Sequence, residues 1–187
     1  MYWDCPSAFS AAECDAIVAL AGSRPGEAAP VWGGAGYEVN LAARRALTRF
    51  LDRSDETAWL FGRLDGLFAA AAERLGMAVG PLTEPVQVVE YGVGGHFNSW
   101  NSDAGADLRG RRVLSVSVEL SEREAHEGGD LEIVPGTIGL RRTLPKGGAR
   151  FFASRALHRV TPVTRGARRS LVAWTGAPPA DRTFAPA

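Results

Sequence analysis

The chain contains three histidines, His96, His126 and His158, so a metal or proton-transfer site built on imidazole draws on a short set. His158 is followed ten residues later by Arg168 and then by Ser170. This stretch therefore holds an imidazole, a guanidinium suited to grip a carboxylate with two parallel hydrogen bonds, and a hydroxyl. We expect two adjacent antiparallel strands to bring these three side chains together.

A second stretch, residues 88–105, runs from a strand-like segment through a glycine-rich turn to the carboxylate of Asp103. Asp103 precedes His158 by 55 residues. His126 stands before a Glu-Gly-Gly turn, which is typical of a surface position. The stretch around Asp103 and the stretch from His158 to Ser170 are therefore the two segments that the fold has to bring together.

Two helices are predicted at the front of the chain. Ser10 to Glu13 form a capping box before a helix over about 11–21, and apolar residues recur at steps of three and four over 56–75. Residues 22–36 are rich in glycine and proline and predict a surface loop.

After Gly80 the pattern changes to alternation, most regularly over Leu114 to Leu120. The strands predicted after Gly80 are residues 85–91, 114–120, 130–134, 138–144, 149–153, 160–163 and 170–174. Seven short strands after two helices predict a mainly β fold, a sandwich or jelly roll with the helices packed on one sheet.

The composition limits the classes of function. With 187 residues, we expect one domain, with a helical front over about 1–80 and a β core over about 81–176. The 21 basic and 21 acidic residues cancel, which disfavours a nucleic-acid binder. The sequence shows no apolar run of membrane length and no signal-peptide pattern, and Cys5 and Cys14 are too few for a disulfide framework, so a cytoplasmic protein without a membrane partner is expected.

Residues 84–176 resemble the iron(II)/2-oxoglutarate-dependent oxygenases of the prolyl 4-hydroxylase-like kind. In that family a strand ends in Tyr-x-x-Gly, a His-x-Asp motif supplies two iron ligands, and a later histidine supplies the third. An arginine about ten residues further on holds the far carboxylate of 2-oxoglutarate, usually with a hydroxyl residue two positions beyond it. The resemblance implies a double-stranded β-helix, the cupin-like jelly roll, with Fe(II) as cofactor and 2-oxoglutarate as cosubstrate.

Carried over to this sequence, the resemblance gives Asp103 and His158 as iron ligands and as the catalytic centre. It gives Arg168 as the 2-oxoglutarate anchor, Ser170 as its hydroxyl partner and Tyr91 as an aromatic beside the cosubstrate. A ferrous ion held on one face by imidazole and carboxylate leaves its opposite face open for a chelating oxo-acid and oxygen.

The chain departs from the family at the first histidine of the motif, where it has Asn101. An amide oxygen is a weaker donor than imidazole nitrogen, so the departure lowers the expected affinity for iron. Three explanations remain open. Asn101 or a water could take the third position, His96 could replace the missing ligand, or the chain could have lost catalysis, by evolution or by an engineered His-to-Asn change.

Three further residues are candidates for the substrate side of the pocket. Trp100 stands beside the ligand turn, and Ser115 and Ser117 share the polar face of one predicted strand. The expected function is hydroxylation of an unactivated carbon of a small molecule, amino acid or peptide side chain. The alternatives are a family member that binds 2-oxoglutarate or another small carboxylate without turnover, and a β-sandwich whose motifs are only structural.

Overall fold

The computed structural model describes residues 2–32, 36–105, 108–134 and 144–179. The helices are α1 (Ala11–Gly22) and α2 (Ala58–Leu75). The strands are β1 (Tyr2–Cys5), β2 (Glu27–Ala28), β3 (Val31–Trp32), β4 (Tyr37–Glu38), β5 (Arg44–Arg45), β6 (Leu47–Leu51), β7 (Val86–Tyr91), β8 (His96–Asn101), β9 (Arg112–Glu119), β10 (His126–Gly128), β11 (Leu131–Val134), β12 (Ala149–Ala153), β13 (Leu157–Val160), β14 (Val163–Gly166) and β15 (Arg168–Gly176).

The strands form two larger antiparallel sheets and two short pairs. One sheet has seven strands in the order β1-β12-β9-β15-β7-β6-β2, and the other has four in the order β11-β13-β8-β5. The larger sheets face each other across a cavity, and Phe152 of β12 meets His158 of β13 with ring centroids 5.0 Å apart. Strands β10 and β14 pair separately, as do β3 and β4.

Successive side chains along the strands of the seven-stranded sheet point to opposite faces, one packed against the helices and one toward the cavity. On β9, Leu114, Val116 and Val118 are buried with the helices in the main hydrophobic core, as the period of two predicts. The same core contains Phe151, whose ring meets that of Phe68 on α2 at 5.4 Å. The opposite face of the sheet carries the polar side chains and faces the cavity. The helices therefore pack on one sheet and leave the other face of that sheet for the site.

The local signals for the helices are confirmed. Glu13 N–H donates to Ser10 Oγ at 3.2 Å and Ser10 N–H donates to Glu13 Oε2 at 2.7 Å, which is the predicted capping box. Helix α2 ends at Gly76, whose φ of 62° is the left-handed conformation that glycine adopts without strain. Neither helix in the described part of the chain combines the length and hydropathy that a membrane crossing requires.

Three local predictions need correction. The strand predicted over 160–163 is interrupted: β13 ends at Val160, β14 begins at Val163, and Pro162 between them has no N–H to give to a ladder. The loop predicted over 22–36 contains β2 and β3, so the front of the chain contributes strands as well as helices. His126 is buried rather than on the surface, and its Nδ1 lies 3.0 Å from the Gly128 carbonyl oxygen. The strand predicted over 138–144 falls almost wholly outside the described residues.

Candidate active site

The cavity between the two sheets has a volume of about 890 Å³. Among the side chains predicted to do chemistry, Asp103, His158, Asn101, Arg168, Ser170, Tyr91, Trp100 and Ser117 all line it. A cavity of this size holds a ligand of drug-like dimensions. The fold thus brings the segment around Asp103 and the segment from His158 to Ser170 to one cavity.

Asp103 and His158 form the centre of the site. The Asp103 Oδ1 atom lies 3.5 Å from His158 Nε2, and both side chains are largely buried. His158 belongs to β13, and Asp103 follows two residues after the end of β8, the strand that pairs with β13. Strand pairing therefore holds the imidazole and the carboxylate side by side although they are distant in sequence.

The charges of this pair stabilise each other. Burial by itself raises the pKa of Asp103, but the adjacent His158 ring and hydrogen bonds from His158 and Ser115 lower it to about 2. Burial likewise favours the neutral imidazole, yet the Asp103 carboxylate and the Ala156 carbonyl raise the pKa of His158. The carboxylate of Asp103 is therefore ionised and available as a ligand at neutral pH.

In both His158 and Asp103, one polar atom is hydrogen-bonded to the surrounding protein and the other faces its partner in the pair. The His158 Nδ1 atom lies 3.0 Å from the Ala156 carbonyl oxygen, an acceptor, so Nδ1 carries hydrogen and Nε2 turns toward Asp103. Ser115 Oγ donates to Asp103 Oδ2 at 2.7 Å and lies 2.9 Å from Ser154 Oγ. Such outer hydrogen bonds orient the ligands of protein metal sites.

His158 and Asp103 offer a divalent metal ion one imidazole donor and one carboxylate donor. In the described residues, no group of three or more His, Cys, Asp or Glu side chains could hold a metal ion. Asn101 lies directly opposite His158 on the neighbouring strand. Its Nδ2 atom donates to the His158 carbonyl oxygen at 2.8 Å and to the Ser99 carbonyl oxygen at 3.3 Å. The residues therefore fit iron with two strong protein ligands and an asparagine where the family has a histidine.

His96 is not brought to the pair. It is the first residue of β8, five residues from Asn101, which corresponds to roughly 16 Å along an extended strand. It is paired with Arg45 of β5 and does not line the cavity. The geometry therefore gives no support to His96 as a replacement ligand.

Arg168 approaches the cavity from the other sheet. It is only 4% exposed, and its Nε donates to the buried Glu119 carboxylate at 2.9 Å. Tyr91 lies directly opposite Arg168 on β7, and Ser170 follows on the same face of β15. His158 and Arg168 lie in different sheets rather than on adjacent strands, since β14 and two turns intervene. They therefore face each other across the cavity.

The predicted substrate residues take different places. Trp100 is 43% exposed beside the guanidinium of Arg159, which is 4.6 Å from the ring centroid. Ser117 lines the cavity on β9. Ser115 is buried, donates to Asp103 and is not among the residues that line the cavity.

Three further residues at the site are not among the site residues predicted from the sequence. Ser154 is fully buried and its carbonyl oxygen accepts the Asp103 N–H at 2.9 Å, but no local pattern marks it. Trp174 lines the cavity, and its indole N–H is close enough to the Asp103 carboxylate to contribute to the lowered pKa of that group. The alternation of β15 could have found Trp174, because it lies three steps of two from Arg168. Arg44, on the short strand β5, also lines the cavity.

The chain resembles known proteins in part of its sequence and in its fold. Residues 86–176 match the family described as the 2OG-Fe(II) oxygenase superfamily. A PKHD-type hydroxylase of Pseudomonas fluorescens is 41% identical over 91 residues, which cover 46% of this chain and 40% of the relative. A PKHD-type hydroxylase of Burkholderia cenocepacia is 42% identical over 71 residues, 37% of this chain and 31% of the relative. The chain therefore matches less than half the length of these curated relatives.

Solved structures share the fold at low identity. A prolyl-4-hydroxylase of Pseudomonas putida has a TM-score of 0.73 at 18% identity, with 94% of this chain and 92% of that chain covered. A prolyl hydroxylase of Trichoplax adhaerens, solved with a peptide fragment, has a TM-score of 0.71 at 18% identity, with coverage of 94% and 83%. These likenesses confirm the predicted double-stranded β-helix fold. Residues 86–176 therefore resemble the 2OG-Fe(II) oxygenase superfamily, and this match together with the fold supports a prolyl 4-hydroxylase-like oxygenase.

Proposed function

We propose that this protein is an Fe(II)- and 2-oxoglutarate-dependent dioxygenase that hydroxylates an unactivated carbon of a small molecule, amino acid or peptide side chain. The observation that carries the proposal is the placement of two groups on opposite walls of one cavity. The pair of Asp103 and His158 lies on one wall and the guanidinium of Arg168 lies on the other. A metal-chelating oxo-acid with a second, distant carboxylate needs this combination of groups.

Each residue has a role that follows from its contacts. Asp103 and His158 would hold Fe(II), and Arg168 would bind the far carboxylate of 2-oxoglutarate with Ser170 and Tyr91 beside it. Ser115 holds the second oxygen of Asp103 and fixes the direction of the first. When bound, iron and 2-oxoglutarate supply the oxidising chemistry, while the protein positions the substrate carbon and limits access of water.

The cavity is also large enough for a substrate beside 2-oxoglutarate. About 890 Å³ exceeds the volume of a five-carbon dicarboxylate, so space remains beside the proposed cosubstrate. The exposed Trp100 and the pair β3 and β4 lie at this space, since Val31 and Tyr37 are among the residues that line it. We infer that the substrate enters past these residues. A cytoplasmic location stays a prediction from the sequence.

Anaerobic titration of the metal-stripped protein with Fe(II) and 2-oxoglutarate tests the proposal. The chelate of this family gives a weak visible charge-transfer band, and we expect that band in the wild-type protein. Arg168→Ala should no longer show saturable binding of 2-oxoglutarate. Arg169→Ala is the control and should still show it, because the partly exposed Arg169 donates to Glu90 at 2.7 Å and does not line the cavity. Conversion of 2-oxoglutarate to succinate in air, measured by mass spectrometry, then tests turnover.

Arg168→Ala leaves the buried Glu119 carboxylate without its partner, so loss of folding could imitate loss of binding. A double variant, Arg168→Met with Glu119→Gln, removes both charges and keeps similar volumes. A folded double variant that still binds 2-oxoglutarate as tightly as the wild type would overturn the role of Arg168. Absence of both the band and succinate from the folded wild type would overturn the dioxygenase proposal.

A second candidate is a family member that binds 2-oxoglutarate without turnover. The observation in its favour is Asn101, whose amide donates to the main chain of β13 and leaves the pair with two strong ligands. This candidate predicts binding of 2-oxoglutarate that survives strong chelation, with no succinate formed. The dioxygenase predicts binding and turnover that chelation abolishes.

A further inference from the structure

Arg44 occupies a row of side chains that crosses the four-stranded sheet. The row consists of residues directly opposite each other on neighbouring strands: Leu131, Val160, Phe97 and Arg44. All four line the cavity. The first three are apolar, so the row runs from an apolar floor to one cation at the edge strand β5. A ligand lying along this row would meet apolar side chains first and a positive charge at its end.

The guanidinium of Arg44 is held in place, but no carboxylate in the described part of the chain neutralises its charge. Its central carbon lies 4.8 Å from the centroid of the Phe97 ring, and Nη1 donates to the Pro30 carbonyl oxygen at 3.3 Å. Its Nε is buried and has no hydrogen-bond partner among the described residues. A buried donor left without a partner costs free energy, which a bound acceptor would recover.

The other arginines of the cavity differ in this respect. Arg168 pairs with Glu119 at 2.9 Å, and Arg112 forms a two-point ion pair with Glu84. Within the described part of the chain, Arg44 has no carboxylate at ion-pair distance. Among the described residues, Arg44 is thus the cavity arginine without a carboxylate partner.

Arg44 is also close to the proposed metal ligands. Arg44 and His158 line the same cavity, and His158 lies two residues before Val160, which is opposite Phe97 in the row. Two strand spacings, about 10 Å, separate the backbones of β5 and β13, and the long arginine side chain crosses part of this distance over Phe97. An anion bound at Arg44 would therefore place its neighbouring carbons beside the reactive centre.

We propose that Arg44 binds the carboxylate of the substrate, so that the substrate is a small carboxylic acid such as a free amino acid. This inference rests on the proposed function and narrows its substrate class. An arginine binds a carboxylate with charge-assisted and often bidentate hydrogen bonds, which a neutral amide of the same shape cannot match. Arg168 is left for the cosubstrate, so the two carboxylates have separate anchors.

Calorimetry with matched acids and amides tests the proposal. The probes are the twenty common L-amino acids and their carboxamides, titrated into the protein with Fe(II) and 2-oxoglutarate under anaerobic conditions. We expect at least one acid to bind, with its amide weaker by about 10-fold or more. Arg44→Gln should abolish this preference, Arg44→Lys should retain part of it, and Arg45→Gln, outside the cavity on the same strand, should leave it unchanged.

Three results would overturn the proposal. The first is a folded Arg44→Gln variant that keeps the wild-type ratio of amino-acid affinity to carboxamide affinity. The second is that no amino acid binds saturably to the wild type. The third is that Arg44→Gln loses affinity for 2-oxoglutarate but keeps its preference for amino acids over carboxamides. The visible band of the Fe(II) and 2-oxoglutarate chelate is recorded on the same samples. A normal band without acid binding contradicts the role of Arg44 alone, whereas absence of the band contradicts the proposed function.

Discussion

Asn101 and His158 lie directly opposite each other on the antiparallel strands β8 and β13, and the Asn101 amide donates to the His158 carbonyl oxygen at 2.8 Å. Directly opposite residues have Cβ atoms about 5 Å apart, so a side chain at 101 reaches the same space as the His158 ring. The strand register therefore places position 101 where a third metal ligand would be needed. An asparagine there bonds to the neighbouring strand instead.

Asn101→His should raise the affinity for Fe(II) by about 10-fold or more, because imidazole nitrogen is a stronger donor to iron than an amide. Anaerobic titration with Fe(II), or with Co(II) as a spectroscopic substitute, measures the change. Ser99→His is the matched control, since Ser99 lies two residues earlier on the same strand and also lines the cavity. Equal affinities of Asn101→His and the wild type would show that position 101 does not face the metal.

Ser115 and Ser154 give a second prediction about the metal. Ser115 donates to Asp103 Oδ2 at 2.7 Å, and its own oxygen lies 2.9 Å from Ser154 Oγ in the buried interior. Ser115→Ala frees the carboxylate to rotate, so metal affinity should fall about 10- to 100-fold, the range typical of outer hydrogen bonds.

Metal titration of Ser115→Ala beside Ser121→Ala checks this prediction. Ser121 is also a buried serine, but it accepts the Arg169 N–H at 2.7 Å instead of bonding to Asp103 or His158. Its replacement should leave metal affinity unchanged. If both variants lose affinity equally, the effect of Ser115 is a general loss of structure.

Side-chain periodicity gave the correct face for the site residues of the seven-stranded sheet. On β15, Arg168 and Ser170 face the cavity while Leu171 and Ala173 join the core, as alternation requires. Periodicity reports only the face of a strand, however, and not the sheet to which the strand belongs. The ten residues from His158 to Arg168 therefore suggested one sheet, whereas the chain crosses from one sheet to the other.

The front of the chain was harder to predict for a different reason. Strands β2, β3, β4 and β5 are only two residues long, and a period of two needs a longer run to be visible. Arg44 belongs to one of them, so its place in the cavity depends on pairing with β8, a long-range contact that no local pattern encodes.

Cys14 should be inert toward thiol reagents in the folded protein. Burial raises the pKa of its thiol to about 11, so at pH 8 only roughly one molecule in a thousand carries the reactive thiolate. The thiolate fraction should rise about tenfold per pH unit up to that value. A chromogenic thiol reagent at pH 8 should therefore react with one thiol in the native protein, the partly exposed Cys5, and with two thiols after denaturation. Rapid labelling of both thiols in the native state would contradict the burial of Cys14.

Glu119 and Arg168 form a buried ion pair at 2.9 Å, with both side chains almost fully enclosed. Glu119→Ala removes one partner and leaves the guanidinium buried with an unmatched charge, so the free energy of unfolding should fall by about 3–5 kcal/mol. Glu127→Ala is the control, because Glu127 pairs with Arg165 at 2.8 Å on the exposed surface. Its loss should cost about 1 kcal/mol or less.

Urea unfolding of both variants, with and without 2-oxoglutarate, measures these differences. In Glu119→Ala the far carboxylate of 2-oxoglutarate can supply the negative charge that Arg168 has lost. Ligand should therefore stabilise this variant at least as strongly as the wild type, by an amount that grows with the logarithm of its concentration. If Glu119→Ala is destabilised and 2-oxoglutarate restores nothing while it still stabilises the wild type, Glu119 is needed to hold Arg168 in its binding position. That result would make Glu119 a positioning residue for the cosubstrate anchor, in addition to a partner for its charge.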